Sequence, residues 1–272
     1  MPVFAAGALA GRVALVTGGG TNLGLQAATE LAAAGAEVVI AGRRADVLEE
    51  AAAGIGPQCT PVVGDIRERD DALRIVDACR ERHGRLDVLV NNAGGQYFVP
   101  AEDIAARGWQ AVLRLNVDGT MAMTEAAVER GFGPEGGTIV NVTVSPHHGM
   151  PAMAHTGAAR AAVEALTREL AERWAPRGIA VVAAAIGRFD TASLRKYPDV
   201  VWQGAARSVP LQRLGEVREF GWLVTLLATP LGRSLSGSVV TLDGAVDNWH
   251  GRWPPSSLAE DDGTVPTEAR RS

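Results

Sequence analysis

The run TGGGTNLG (17–24) follows the apolar stretch VALV (13–16) and opens a helical pattern. Glycines there let the backbone approach an anion, and a helix start points free N–H groups at it. The arrangement suits the pyrophosphate of a dinucleotide, with Gly18, Gly20, Thr21, Asn22, Leu23 and Gly24 as the candidate cradle. Asn is the residue besides glycine that best tolerates left-handed backbone, so Asn22 can sit in such a turn. The second apolar stretch ends in AGRR (41–44), which offers Arg43 and Arg44 and no carboxylate. A carboxylate would hold a ribose 2′-hydroxyl, whereas arginine forks fit a phosphate, so NADP(H) is favoured over NAD(H).

Residues able to move a proton lie further along. Tyr97 follows NNAG (91–94), and Ser145, His147 and His148 follow the fifth apolar stretch. His155 and Thr156 open the long helical run after it. Histidine titrates nearest neutrality, so these imidazoles are candidate acids or bases, although packed or solvated histidines are commoner. Glu164 reads as a surface residue of that helix, and Trp202 as a pocket or lid residue. Cys59 and Cys79 have no metal-ligand spacing and read as small buried hydrophobes. No metal site is expected.

These residues need a scaffold. Seven apolar runs, at 13–16, 37–41, 60–63, 86–90, 137–142, 179–186 and 238–242, read as strands covered on both faces. Helical patterns at 23–34, 45–54, 68–83, 103–131, 152–175 and 216–229 alternate with them. That alternation predicts an α/β fold: one Rossmann-like domain, doubly wound on a seven-stranded parallel sheet, over residues 1–252. Residues 188–214 read as a segment covering the substrate, and 253–272 as a polar tail. A net charge of −5 with scattered basic residues argues against a nucleic-acid surface. No run is long enough to span a membrane and no export signal is evident, so a soluble cytoplasmic protein is expected.

TGGGTNLG, GDI (64–66), NNAG, Asn116 within RLNVDGT, and GRFDT (187–191) together resemble the short-chain dehydrogenase/reductase family, over residues 11 to 247. The resemblance implies that Asp65 and Ile66 flank the adenine, and that Asn91, Asn92, Ala93 and Gly94 run under the adenosine ribose. It places Gly187 and Thr191 near the nicotinamide carboxamide, and it implies a homotetramer or homodimer. Three departures stand out: Asn22 replaces a family Gly, Ile186 a Pro, and the catalytic Ser, Tyr and Lys fall on Val144, Thr156 and Arg160. No Tyr in the chain has a Lys four residues on. A threonine hydroxyl is too weak an acid to replace the phenol, and arginine does not release a proton.

NNAGGQYFVPAEDI (91–104), GWQAVLRLNVDGT (108–120) and AHTGAARAAV (154–163) are similar to peroxisomal trans-2-enoyl-CoA and 2,4-dienoyl-CoA reductases. In the enoyl reductases an acid role has been given to a Tyr whose position is Glu164 here. Reduction of a conjugated bond makes an enolate, and its protonation tolerates loss of the usual Tyr better than ketone reduction does. The leading expectation is therefore an NADPH-dependent reductase of a small-molecule conjugated or activated carbonyl, an acyl thioester among the candidates. Asn116 and Arg160 would frame the site, and Tyr97, a histidine or water would supply the proton. The alternatives are a non-redox isomerase, dehydratase or cyclase on the same scaffold, and an inactive NADP-binding regulator.

Overall fold

The computed structural model describes residues 3–248, apart from 146, 151, 193 and 197–203. The expectations for Trp202 and for the tail lie outside the described residues. Seven parallel strands form one sheet: β1 (Val13–Thr17), β2 (Glu37–Gly42), β3 (Cys59–Val63), β4 (Val88–Asn91), β5 (Gly137–Val144), β6 (Ile179–Ile186) and β7 (Val239–Leu242). Their order is β3-β2-β1-β4-β5-β6-β7, so the winding reverses between β1 and β4.

Period-two alternation sends consecutive side chains to opposite faces. Ala14, Val16, Val140, Val142, Val182 and Ala184 pack beneath α1 (Asn22–Ala33), α2 (Ala45–Ile55) and Phe220, Val224 and Leu227 of the helix Val217–Ala228. Leu15, Leu89, Ile139 and Val181 pack beneath α3 (Arg69–His83) and Met123 and Leu170 of the helices described next. Burying a side chain the size of Phe220 is worth about 2 kcal/mol, and many such groups fix the register. β1, β5 and β6 are buried almost throughout, while the edge strands β3 and β7 are only half covered. The reading of seven equally buried strands overstates those two edges.

The pattern at 103–131 resolves into a short 3₁₀ turn (Ala101–Asp103), α4 (Ala106–Leu113), a π turn (Arg114–Asp118), α5 (Gly119–Ala126) and a second π turn (Ala127–Gly131). α6 (Ala154–Trp174) follows β5, and α7 (Val217–Ala228) precedes β7. β5 runs two residues further than its apolar stretch, to Val144, because Thr143 and Val144 still pair with Ala185 and Ile186 of β6. Among the described residues no helix is long and apolar enough to cross a membrane, and no cluster could hold a metal ion. Both cysteines are free and buried, and burial pushes their thiols up to about 11 for Cys59 and about 12 for Cys79.

Candidate active site

Ligands of doubly wound sheets lie where the winding reverses, at the carboxyl ends of the strands. Here Thr17, last in β1, staples the two halves. Its Oγ1 accepts the N–H groups of Asn92 and Ala93, each at 3.0 Å, and Asn92 Nδ2 donates to its carbonyl at 2.9 Å. The glycine turn and NNAG are thereby one rigid piece. Gly18 has φ +64°, and a Cβ on Gly24 would stand 2.2 Å from the Gly18 carbonyl oxygen. Asn22 does adopt left-handed backbone, at φ +48°. Its Oδ1 accepts from Ala192 N at 3.2 Å, tying the turn to the covering segment. After Thr21, α1 begins with no side-chain cap and no acidic residue in its first turn, a helix start whose dipole favours an anion. Gly20 lies against Val47, and Leu23 packs partly into the core.

At the end of β2, Arg43 and Arg44 are exposed and form no ion pair with any described residue. The Asp65 carboxyl is held below the ordinary range, first by hydrogen bonds from Arg67 and last by the charge of Arg43. Ile66 is buried against Gly119. Asn91 ends β4. Its side chain faces inward and donates to Asn141 Oδ1 and Thr124 Oγ1, both at 2.9 Å. Strand register opposes it to Asn141, whose Nδ2 reaches Thr167 Oγ1 at 3.0 Å. That buried polar ladder anchors α5 and α6.

Asn116 sits in the π turn for a local reason. Its Nδ2 takes the Val112 carbonyl at 2.8 Å, the acceptor that a regular helix reserves for the backbone N–H of residue 116. The same amide exchanges bonds with Gly95, donating to its carbonyl at 2.9 Å and accepting from its N–H at 3.3 Å. Arg160, 7 % exposed, donates from Nη1 to the Val142 carbonyl at 2.7 Å. A Cβ on Gly94 would come within 2.4 Å of Arg160 Nη2 and 2.8 Å of Asn116 Oδ1, so these groups converge. Burial lowers the Arg160 pKa to about 10. Its Nε, the Thr156 hydroxyl and both His155 ring nitrogens are buried without partners among the described residues. The His155 ring meets Tyr97 edge-on at 4.5 Å. Tyr97 is 39 % exposed, and its hydroxyl rests on Gly108 of α4.

A second cluster lies beyond β5. Glu164 is 5 % exposed, not a surface residue. It lies one and two helical turns after Arg160 and Thr156, on the buried face of α6, and its Oε1 accepts from Thr143 Oγ1 at 2.8 Å. The same oxygen lies 2.9 Å from His147 Nε2, while His147 Nδ1 lies 2.5 Å from Asp247 Oδ2. Burial pushes the His147 pKa down, but Asp247 and Glu164 outweigh it and raise the pKa above the ordinary value. Asp247 is lowered in turn, since the His147 bonds outweigh its own burial. His148 lies further out, 3.9 Å from Asp247 Oδ1. Ser145 donates to Asp243, whose Oδ2 also accepts from Asp247 N at 2.7 Å, so the Ser145 proton is already committed. Sequence reasoning missed Asp243 and Asp247. Their signal was an Asp-Gly turn closing the last strand with a second Asp four residues on. Gly187 backs onto Asp243, where a Cβ would stand 2.6 Å from that side chain, and Thr191 Oγ1 accepts from Leu194 N at 3.2 Å.

The chain matches the family described as short chain dehydrogenase over residues 12–200. The peroxisomal 2,4-dienoyl-CoA reductase of Danio rerio is 32% identical over 250 residues, 89% of this chain and 83% of that protein. The peroxisomal 2,4-dienoyl-CoA reductase of Pongo abelii is 34% identical over 250 residues, 89% of this chain and 86% of that protein. The solved structure of a citronellol catabolism dehydrogenase from Pseudomonas aeruginosa PAO1 superposes with a TM-score of 0.81 at 35% identity, covering 90% of this chain and 98% of that one. With a reversed winding, a glycine turn stapled to NNAG, and relatives of this kind, the chain belongs to the short-chain dehydrogenase family and is an oxidoreductase that uses a nicotinamide cofactor.

Proposed function

We propose that the chain is an NADPH-dependent reductase of a conjugated thioester, an enoyl- or dienoyl-CoA. The observation that carries this reading is Arg160: a buried cation fixed on the Val142 carbonyl beside Gly94 and Asn116, with Nε lacking a partner among the described residues. A buried charge without a carboxylate is costly, and ligand oxygens facing it reduce that cost. The residues fit NADP(H). Gly18 and Gly24 leave the close approach a pyrophosphate needs, the first turn of α1 is uncapped, and Arg43 and Arg44 await a 2′-phosphate. Bound, the reduced cofactor supplies hydride. Arg160 would hold ribose hydroxyls and, with the Thr156 hydroxyl, favour negative charge developing on the thioester oxygen. Asn116 keeps the loop at Gly95 in place. The names of the dienoyl-CoA reductase relatives support this substrate class. The exposed face of α6 carries Ala158, Ala161 and Ala165, against which a second copy can pack closely as a homodimer or homotetramer.

The test is consumption of NADPH with trans-2-enoyl-CoA and 2,4-dienoyl-CoA thioesters, followed by the loss of reduced-nicotinamide absorbance. Turnover dependent on both components supports the reading. Silence with NADPH demonstrably bound, or substrate conversion without cofactor oxidation, overturns it.

A further inference from the structure

The cluster beyond β5 has features that structural ion pairs at a surface lack. His147 has a carboxylate on each ring nitrogen, at 2.5 Å and 2.9 Å, and its main-chain N–H also donates to Asp247 Oδ1 at 2.6 Å. With both nitrogens facing carboxylates, the doubly protonated imidazolium is the form that bonds both. Glu164 is the most buried of the three groups. Side-chain exposure is 32% at His147 and 22% at Asp247, but 7% at Glu164. Glu164 Oε1 takes both donors, from Thr143 and His147, while no described residue donates to Oε2. The carboxylate shares the buried face of α6 with Thr156 and Arg160.

Every element around His147 contributes to its charge environment. α6 brings Glu164, with Arg160 one turn earlier bonded instead to β5. The end of β5 brings the neutral Thr143 and Ser145. The loop brings His148 at 3.9 Å from Asp247, and the segment after β7 brings Asp247 and Asp243. The turn after β6 brings Arg188, which faces the charge of Asp243. Two carboxylates contact the ring directly and, among the described residues, no cation does, consistent with the upward shift of His147.

We propose that Asp247, His147 and Glu164 form a proton relay that reloads the acid consumed in each reduction, in place of the absent phenol–ammonium pair. The inference rests on the reductase reading. Reducing a conjugated thioester takes up a hydride at one carbon and a proton at another. The resting pair is an imidazolium and a carboxylate. The Nε2 proton of His147 passes to Glu164. The carboxyl so formed, or a water bonded to it, gives up a proton as the new C–H bond forms, leaving the carboxylate again. Neutral His147 then regains a proton from solvent. Glu164 is the inner carrier, and His147 and Asp247 are positioning residues that keep it loaded.

Two measurements on the full chain test this. In steady-state kinetics with NADPH and the dienoyl-CoA thioester, Glu164→Gln and His147→Asn are each expected to lower kcat roughly 100-fold. KM for NADPH should move less than about twofold, and Glu164→Asp should restore part of the rate. The alkaline limb of the kcat profile should shift to lower pH in Glu164→Gln. An active parent whose kcat and pH profile are unchanged by both substitutions overturns the relay and leaves the reductase reading intact. Independently of turnover, the ¹⁵N shifts of the His147 ring, followed against pH, should report a raised pKa that falls in Glu164→Gln. An ordinary titration unmoved by that substitution also overturns the relay. A parent that binds NADPH but reduces no thioester overturns the reductase reading instead.

Discussion

Arg160 Nη1 donates to the carbonyl oxygen of Val142 at 2.7 Å, bringing a guanidinium from α6 onto the end of β5 where no described carboxylate meets it. Replacing a buried charge by an apolar side chain of similar length is often neutral for folding, while a ligand that relied on the charge loses it. Arg160→Met is therefore expected to leave stability within about 1 kcal/mol of the parent, against the single lost bond to Val142. NADPH binding should weaken about tenfold, or 1.4 kcal/mol. Thermal unfolding and a fluorescence titration check both halves. A large stability loss with unchanged binding would show the guanidinium to be structural.

The glycine turn yields a contrast between two substitutions. A Cβ on Gly24 would collide with the Gly18 carbonyl at 2.2 Å and with Asn92 Nδ2 at 2.5 Å, so Gly24→Ala should cost about 3 kcal/mol and abolish cofactor binding. Gly54 lies in α2 with nothing within 4 Å of its missing Cβ. Gly54→Ala should raise stability by about 0.5 kcal/mol and leave binding alone. Chemical denaturation of both variants reads the difference.

Arg43 is exposed, and its only described electrostatic partner is Asp65. Arg43→Glu should weaken NADPH binding by about tenfold or more while changing NADH affinity little, because only the 2′-phosphate meets the reversed charge. Added salt should narrow the gap between parent and variant. Equal losses for the two coenzymes would show that Arg43 does not read the phosphate.

The His147 clamp gives stability a pH signature. His147 has a folded pKa above its unfolded value of about 6.5, so its contribution is complete below that pH and disappears as pH rises through the folded value. Asp247 has a folded pKa below its unfolded value of about 3.9, so its contribution is present above that pH and is lost as pH falls through the folded value. The stability gap between the parent and His147→Asn should be widest between about pH 4 and 6.5, on the order of 2 kcal/mol, and should shrink on the alkaline side. A gap that grows with pH would contradict the assignment of the imidazolium.

Much of this protein is written in local sequence. Continuous apolar runs of four to eight residues, broken by turns and alternating with helical patterns, read as strands of a covered sheet, so the order of the elements and the doubly wound sheet follow from pattern, although the edge strands β3 and β7 are only half covered. The left-handed turn was also legible, because Asn22 reaches φ +48° as its side chain permits. The absence of a Tyr-Lys pair is also a fact of the sequence by itself. Tertiary structure decided the rest, wherever the partner lies far away in the chain. Strand register sets the Asn91 side chain opposite Asn141, fifty positions on, a pairing that no local pattern announces. Glu164 looked solvated, because charged residues on helices usually are. Only folding brings Thr143, His147 and, through His147, Asp247 around it, and a carboxylate with enough donors can stay inside.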